Sequence, residues 1–305
     1  MKAVICTKYG PPEVLKMAEV EKPVPGDNEV LIKVYATTVT IADSRIRGFN
    51  IPPLFRLPFR IMFGFGKPNK PVLGMQLSGV IESVGKNVQG YKPGDRVFAY
   101  TGFSFGAYVE YRCFPENGLI ALIPAGKTYE EAAAVSFGGF SALHFIKQCG
   151  INRGQKVLVY GASGDVGTNF VQLAVYYGAE VTGVSSTPNL ELVSSLGAGR
   201  VIDYTKEDFT VGGERYDIIF DAVGIISKSK AVKALKPGGK FYSVMNGIIK
   251  ANQDDLALLR HLLEAGNLKP VIDRTYTFEQ LAEAHRYVDI GHKKGNVVIK
   301  VGTNN

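Results

Sequence analysis

The residues best suited to chemistry lie at 161–167, GASGDVG. Gly161, Gly164 and Gly167 follow an apolar run, KVLVY (156–160), and open a helical pattern, NFVQLAVYYG (169–178). Glycines at a strand-to-helix turn let the backbone approach a pyrophosphate, and the helix N-terminus adds free N–H groups and a positive dipole end. The spacing GxxGxxG departs from the commoner GxGxxG, and a glycine motif alone is a weak signal. Here the strand before it, the helix after it and a second strand, EVTGVSS (180–186), complete the unit. Gly161, Ala162, Ser163, Gly164, Asp165, Val166 and Gly167 are the expected dinucleotide cradle. A carboxylate at Asp165 suits a helix start but repels a pyrophosphate, so it is expected to point to solvent.

The second strand ends in Ser185, Ser186 and Thr187. An NAD site usually carries an acid there to hold the ribose 2′-OH. Hydroxyls can instead donate to a 2′-phosphate, and Tyr204 and Lys206 stand close enough in sequence to add donors. NADPH is therefore the expected cofactor, in a phosphate site less charged than many, since the SSTPN turn holds no arginine.

These residues need a frame. Short β-branched and alternating runs separated by Gly and Pro, such as EVLIKVYA (29–36), VLGMQLSGVIESVG (72–85), YKPGDRVFAY (91–100) and GAYVEYRC (106–113), read as a β-rich, barrel-like domain. MAEVEKPVPGDNE between the first strands reads as turns. From Pro124 the pattern changes. TYEEAAAVSFGGFSALHFIKQC (128–149) reads as one helix with Thr128 and Glu131 as a capping box, and strands then alternate with helices, including SKSKAVKALKPGG. That alternation means a doubly wound parallel sheet. A last helix, FEQLAEAHRYVDIG, and a strand, GNVVIKV, are expected to pack back on the first domain. The fold class is α/β: a catalytic domain at 1–122 with 274–305, and a Rossmann domain at 123–273.

Composition narrows the classes. A chain of 305 residues suits two domains. No apolar run reaches ~18 residues, so no membrane span is expected. The N-terminal MKAVICTKYG has no signal-peptide pattern, which points to the cytoplasm. Cys6, Cys113 and Cys149 lie far apart, and His144, His261, His285 and His292 show no ligand spacing, so no metal site is expected. The net charge of +7 is scattered along the chain, and nucleic acid is not an expected partner.

With the dinucleotide unit placed, VLIKVYATTVTIADSRIRG (30–48), LGMQLSGVIESVG (73–85), YKPGDRVFAY, EEAAAVSFGGFSALHF (130–145), VLVYGASGDVG (157–167), FDAVG (220–224) and HKKGNVVI (292–299) together resemble the medium-chain dehydrogenase/reductase superfamily. The resemblance implies a GroES-like catalytic domain split around the Rossmann domain, with the active site in the cleft. Zinc members of that family hold their metal with Cys, His and a third Cys or acid. Those positions fall here on Thr40, Met75 and Phe137, with Gln76 where a Glu would follow the His. The chain thus resembles the zinc-independent quinone oxidoreductase-like branch. Such chemistry passes hydride to an acceptor already activated, a quinone or an α,β-unsaturated carbonyl, and the developing oxyanion needs a donor. Thr40 is the first candidate donor and Arg45 the second; Asp43 is expected to hold the loop. Ser141, Val223, Gly224, Gly295, Asn296 and Val297 match the family's nicotinamide-side segments.

Two stretches depart from the pattern. FNIPPLFRLPFRIMFGFGKPNK (49–70) is aromatic and basic, and reads as a loop over the barrel, a substrate lid, or a patch for a membrane or partner. The connection at 243–253 is short for the family; relatives carry a further strand there that often pairs across a homodimer. Whether it is a natural deletion or an omission stays open. So do two other functions: an alcohol or carbonyl oxidoreductase, and a low-turnover NADPH-binding protein acting on RNA or a partner.

Overall fold

The computed structural model describes every residue except 52, 54, 55, 248 and 303–305. In chain order come β1 (Lys2–Cys6), β2 (Leu15–Glu19), β3 (Glu29–Val39), α1 (Ile41–Gly48), α2 (Arg56–Phe63), β4 (Gln76–Val84), β5 (Arg96–Tyr100), β6 (Tyr111–Pro115) and β7 (Ile120–Leu122). Next are α3 (Tyr129–Ala134), α4 (Ser136–Cys149), β8 (Lys156–Tyr160), α5 (Asp165–Tyr176), β9 (Glu180–Ser185), α6 (Leu190–Ser195) and β10 (Arg200–Asp203). The chain closes with β11 (Tyr216–Asp221), α7 (Lys228–Val232), β12 (Leu235–Ser243), α8 (Gln253–Glu264), β13 (Ile272–Thr277), α9 (Leu281–Asp289) and β14 (Asn296–Lys300). It divides into two compact units, Met1–Phe137 with Ile272–Asn305, and Gly138–Val271.

The first unit is built on β3. Val30, Ile32 and Val34 alternate inward and are at most 1% exposed, joined by Leu77, Ile81, Val97 and Ala99 from β4 and β5. Burial alternates only from Ile32 to Ala36; Leu31 and residues 37–39 are buried too, so β3 is covered on both faces over much of its length. The strand order is β13-β14-β3-β4-β5-β7, with β6 also on β3. The last helix and strand do join this unit: β14 runs antiparallel to β3, with Val297 opposite Val39. An ion pair from the buried Arg47 on α1 to the exposed Asp289 on α9 (2.5 Å) ties the C-terminal helix down.

The second unit is a five-stranded parallel sheet in the order β10-β9-β8-β11-β12. Its central strands are apolar on both faces because helices cover both. Phe220 of β11 stacks on Phe170 of α5 (4.0 Å between centroids) and packs on Phe145 of α4. Its neighbour Ile219 points the other way, into a cluster with Leu158, Val184 and Ala231 of α7.

Several local expectations are corrected. Residues 123–137 group with the first unit, because Ala133 and Ala134 of α3 pack on Ala36 and Val298, so the first crossing falls later than 122. The single helix expected over 128–149 is two, α3 and α4. The Phe137 N–H is taken by the Gln76 side chain (2.6 Å) instead of the preceding turn. The Thr128–Glu131 capping box is present. Part of the expected turn segment pairs with β1 as β2, and LKPGG lies in β12, not in a helix. Residues 56–63 of the aromatic segment form a helix instead of a plain loop. Pro52, Leu54 and Phe55 of that segment lie outside the described residues. Among the described residues no strand intervenes between β12 and α8.

Candidate active site

The turn after β8 has the shape its glycines suggested. Gly161 adopts φ +75°, and its N–H and that of Ala162 both bond the Val184 carbonyl at the end of β9 (3.0 and 3.1 Å). A Cβ on Gly167 would sit 2.1 Å from the Gly161 carbonyl oxygen, so α5 can start this close only because residue 167 has none. Gly164 is the N-cap of α5 and brings no side chain to the first N–H groups. A Cβ there would meet nothing nearer than 3.5 Å, leaving the helix start open to an anion.

Asp165 corrects the reading that sent it to solvent. It is 7% exposed and accepts from Asn169 Nδ2 (3.4 Å). Gly138 of α4 makes the room: a Cβ there would lie 2.0 Å from the Asp165 carboxylate. The carboxylate is turned sideways into the helix pair.

At the end of β9 the expected donors separate into two groups. Ser185 donates to Ser163 Oγ (2.8 Å), and Asn189 Nδ2 reaches both Ser163 and Ser186 (3.2 Å each). Among the described residues the buried Asn189 Oδ1 has no hydrogen-bond partner. Thr187 turns away, donating to Asp203 (2.5 Å), and Lys206 pairs with the same carboxylate (3.6 Å). Hydrogen bonds from Thr187 and Thr205 hold the Asp203 carboxyl down to about 2. Tyr204 is 47% exposed, beside Tyr160. Asn189 and Asp203 escaped the sequence reading because each acts by a contact across a turn. Asp221 escaped it too. It is fully buried and accepts the N–H groups of Val223, Gly224 and Ile226 (3.0, 2.9 and 2.7 Å), fixing the loop after β11. An Asp before small residues at a strand end was its only signal. Ser141 is buried within α4.

In the first unit two of the three positions aligned with zinc ligands, Thr40 and Met75, come together, and Phe137 is tied to the residue after Met75. Thr40 Oγ1 lies 3.9 Å from Met75 Sδ. Gln76, next to Met75, donates to Thr38 (2.5 Å) and accepts from Phe137 N–H (2.6 Å). A hydroxyl, a thioether and a phenyl ring do not fit Zn²⁺, which takes thiolate, imidazole or carboxylate. Asn296 and Val297 open β14 opposite Val39, beside Thr40, after Gly295 at φ +51°. Arg45 lies on the exposed side of α1.

Thr40 caps α1 and forms a capping box with Asp43. Asp43 is fully buried and accepts from the Thr40 hydroxyl (2.7 Å), the Thr40 N–H (3.0 Å) and the Gly74 N–H (3.1 Å). It holds the loop as expected. Burial outweighs these hydrogen bonds and pushes its carboxyl up to about 6. Tyr108 also bonds Asp43 and lies 3.2 Å from His285 Nε2. Burial drives the Tyr108 hydroxyl well up and the His285 imidazole well down, so both stay neutral. His285 thus proves to be a core histidine.

Residues 26–125 match the family described as alcohol dehydrogenase GroES-like domain. Residues 196–251 and 242–299 match zinc-binding dehydrogenase in two pieces that meet at the short β12–α8 connection. The chain is 34% identical to 2-methylene-furan-3-one reductase of Solanum lycopersicum, over 98% of this chain and 79% of the relative. That alignment spans 320 positions against 305 residues here, so the relative holds residues this chain lacks. It is 32% identical to the chloroplastic NADPH-dependent alkenal/one oxidoreductase of Arabidopsis thaliana, over 98% and 79%. A solved quinone oxidoreductase from Coxiella burnetii superposes with a TM-score of 0.86 at 26% identity, covering 99% of each chain. The GroES-like match, the parallel nucleotide sheet and these full-length likenesses establish that the chain belongs to the medium-chain dehydrogenase/reductase superfamily, in its quinone oxidoreductase-like branch.

Proposed function

We propose that this chain is a zinc-independent reductase that uses NADPH to reduce quinones or α,β-unsaturated carbonyls. The observation that carries the reading is the contact of Thr40 with Met75 where zinc relatives hold their metal. Neither side chain, nor Phe137, can serve as the usual ligand, so no Lewis acid polarises the acceptor and the acceptor must be electron-poor by itself. The names of the tomato, Arabidopsis and Coxiella relatives support the same class of acceptor.

The nicotinamide cofactor, when bound, supplies the hydride. Residues 161–167 and the start of α5 would hold its pyrophosphate. Ser163, Ser185, Ser186 and Asn189 would hold the 2′-phosphate: they are hydroxyl and amide groups, and the acid nearby, Asp203, is engaged by Thr187 and Lys206. Ser141, Val223, Gly224 and 295–297 would line the nicotinamide end, as the family resemblance implies. Thr40 would donate to the oxyanion formed on the acceptor, and Arg45 is the secondary candidate.

The test is oxidation of NADPH and NADH against a panel of quinones, enones, enoyl thioesters and saturated alcohols, with and without a chelator. Turnover confined to quinones or enones, preferring NADPH and indifferent to chelation, is the expected result. Chelator-sensitive turnover of saturated alcohols would reject the reading.

A further inference from the structure

We propose that α2 and the turn after it form an interfacial anchor that seats this protein on an anionic lipid bilayer. Arg45 apart, the surface concerned shares no residue with the acceptor and cofactor assignments above. α2 carries three stripes set by helical spacing. Phe59 and Phe63, four apart, face the protein: Phe63 packs on Phe59, Phe103 and Phe105 at 5.2, 5.7 and 6.0 Å between ring centroids. Leu57 and Ile61, also four apart, face out. They are 62% and 68% exposed, and Met62 and Phe65 beside them are 63% and 62% exposed. Arg56 and Arg60 flank this apolar stripe and are exposed.

The inner face is fully used, so the outer apolar side chains are not a loosely docked core. Four large exposed apolar residues within nine positions form a patch of the kind monomeric surfaces avoid unless something covers it. The charge around the patch says what. From 44 to 81 the chain holds six basic residues and no acid. Five of them, Arg45, Arg56, Arg60, Lys67 and Lys70, are exposed. Among the described residues none of these five forms an ion pair with a carboxylate, and no acid lies within the segment to offset them. Apolar side chains rimmed by uncompensated positive charge match a bilayer with anionic headgroups, where the former enter the acyl boundary and the latter meet phosphate. An eight-residue helix is far short of a span, so it would lie in the interface plane.

The chain contains no tryptophan, so Ile61→Trp provides a single reporter. The full chain is mixed with vesicles of phosphatidylcholine alone or with phosphatidylserine, and sedimentation and emission are read. The expected result is co-sedimentation and a blue shift with the anionic vesicles, weakened by salt. Lys67→Gln and Lys70→Gln should each weaken binding roughly fivefold. The combined Leu57→Ser, Ile61→Ser, Met62→Ser, Phe65→Ser variant should weaken it at least about tenfold without a change in melting temperature. Absence of binding to either vesicle, an unshifted tryptophan, or undiminished binding by both the serine and the glutamine variants would overturn the proposal. So would self-association without vesicle binding that the serine variant abolishes, since the patch would then be a protein interface.

Discussion

Thr40 donates its hydroxyl hydrogen to Asp43, Oγ1 to Oδ2 at 2.7 Å, while the same oxygen accepts the Asp43 N–H at 3.1 Å. A hydroxyl has one hydrogen. With Asp43 ionised, that hydrogen is committed to the carboxylate and Thr40 has none for an acceptor. With Asp43 protonated, the acid can donate to Thr40 Oγ1 and release the threonine hydrogen. The two residues therefore act as one donor whose availability follows the Asp43 proton.

The sign of the pH dependence follows. Burial raises the Asp43 carboxyl from 3.8 to about 6, so it is protonated below that pH and ionised above it. If Thr40 supplies the oxyanion's hydrogen bond, kcat falls as pH rises through about 6, while cofactor affinity stays level. Thr40→Ala should lower kcat by about 10²–10³ with little change in NADPH affinity, and Thr40→Ser should restore most of it. A flat kcat profile from pH 5 to 8, or full activity in Thr40→Ala, would remove Thr40 from the mechanism.

The nucleotide preference has its own test. Ser185 is 2% exposed and bonds Ser163 in the glycine turn, so a carboxylate at 185 would stand where the ribose substituent is expected. Ser185→Asp should shift the ratio of NADPH to NADH dissociation constants toward NADH by at least about tenfold. An unchanged ratio, measured by direct binding, rejects the assignment.

What could be read from the sequence was local. The glycine turn announced itself because strand, turn and helix lie within some twenty residues, and Thr128 with Glu131 gave a capping box three residues apart. What could not be read was held across the chain. Asp165 is drawn inward by the missing side chain of Gly138, 27 positions earlier (165 − 138). Asn189 became part of the site through Ser163. At the break between α3 and α4 the Phe137 N–H is bonded by Gln76 on β4, which no periodicity in residues 128–149 could reveal. The pairing of Thr40 with Asp43 was within reach, since Thr-x-x-Asp is a cap signature, but its bearing on donor chemistry needed the burial of Asp43.

Two glycines of the same turn predict opposite outcomes. Gly167→Ala would drive a Cβ to within 2.1 Å of the Gly161 carbonyl, and backbone must move. It should cost about 1–3 kcal/mol and lower the melting temperature. Gly164→Ala meets nothing nearer than 3.5 Å and should lower the melting temperature less than Gly167→Ala does, by no more than the weaker N-cap preference of Ala. Its methyl group would nonetheless occupy the open helix start, so NADPH affinity should fall at least about tenfold. Equal cofactor affinity in Gly164→Ala and the parent would move the pyrophosphate elsewhere.

Gln76 offers the last check, on the frame around Thr40. Its carbonyl accepts the Phe137 N–H and its amide donates to Thr38, both with the side chain fully buried. Gln76→Leu keeps the size but removes both hydrogen bonds of the buried amide, at a cost of about 1–3 kcal/mol. The variant should therefore melt lower and lose turnover more than cofactor affinity, because Gln76 adjoins Met75, which Thr40 contacts, and the cofactor cradle lies in the other unit. Amide exchange at Phe137 is the direct readout. Protection there equal to the parent's, with unaltered turnover, would show that this hydrogen bond does not set the geometry around Thr40.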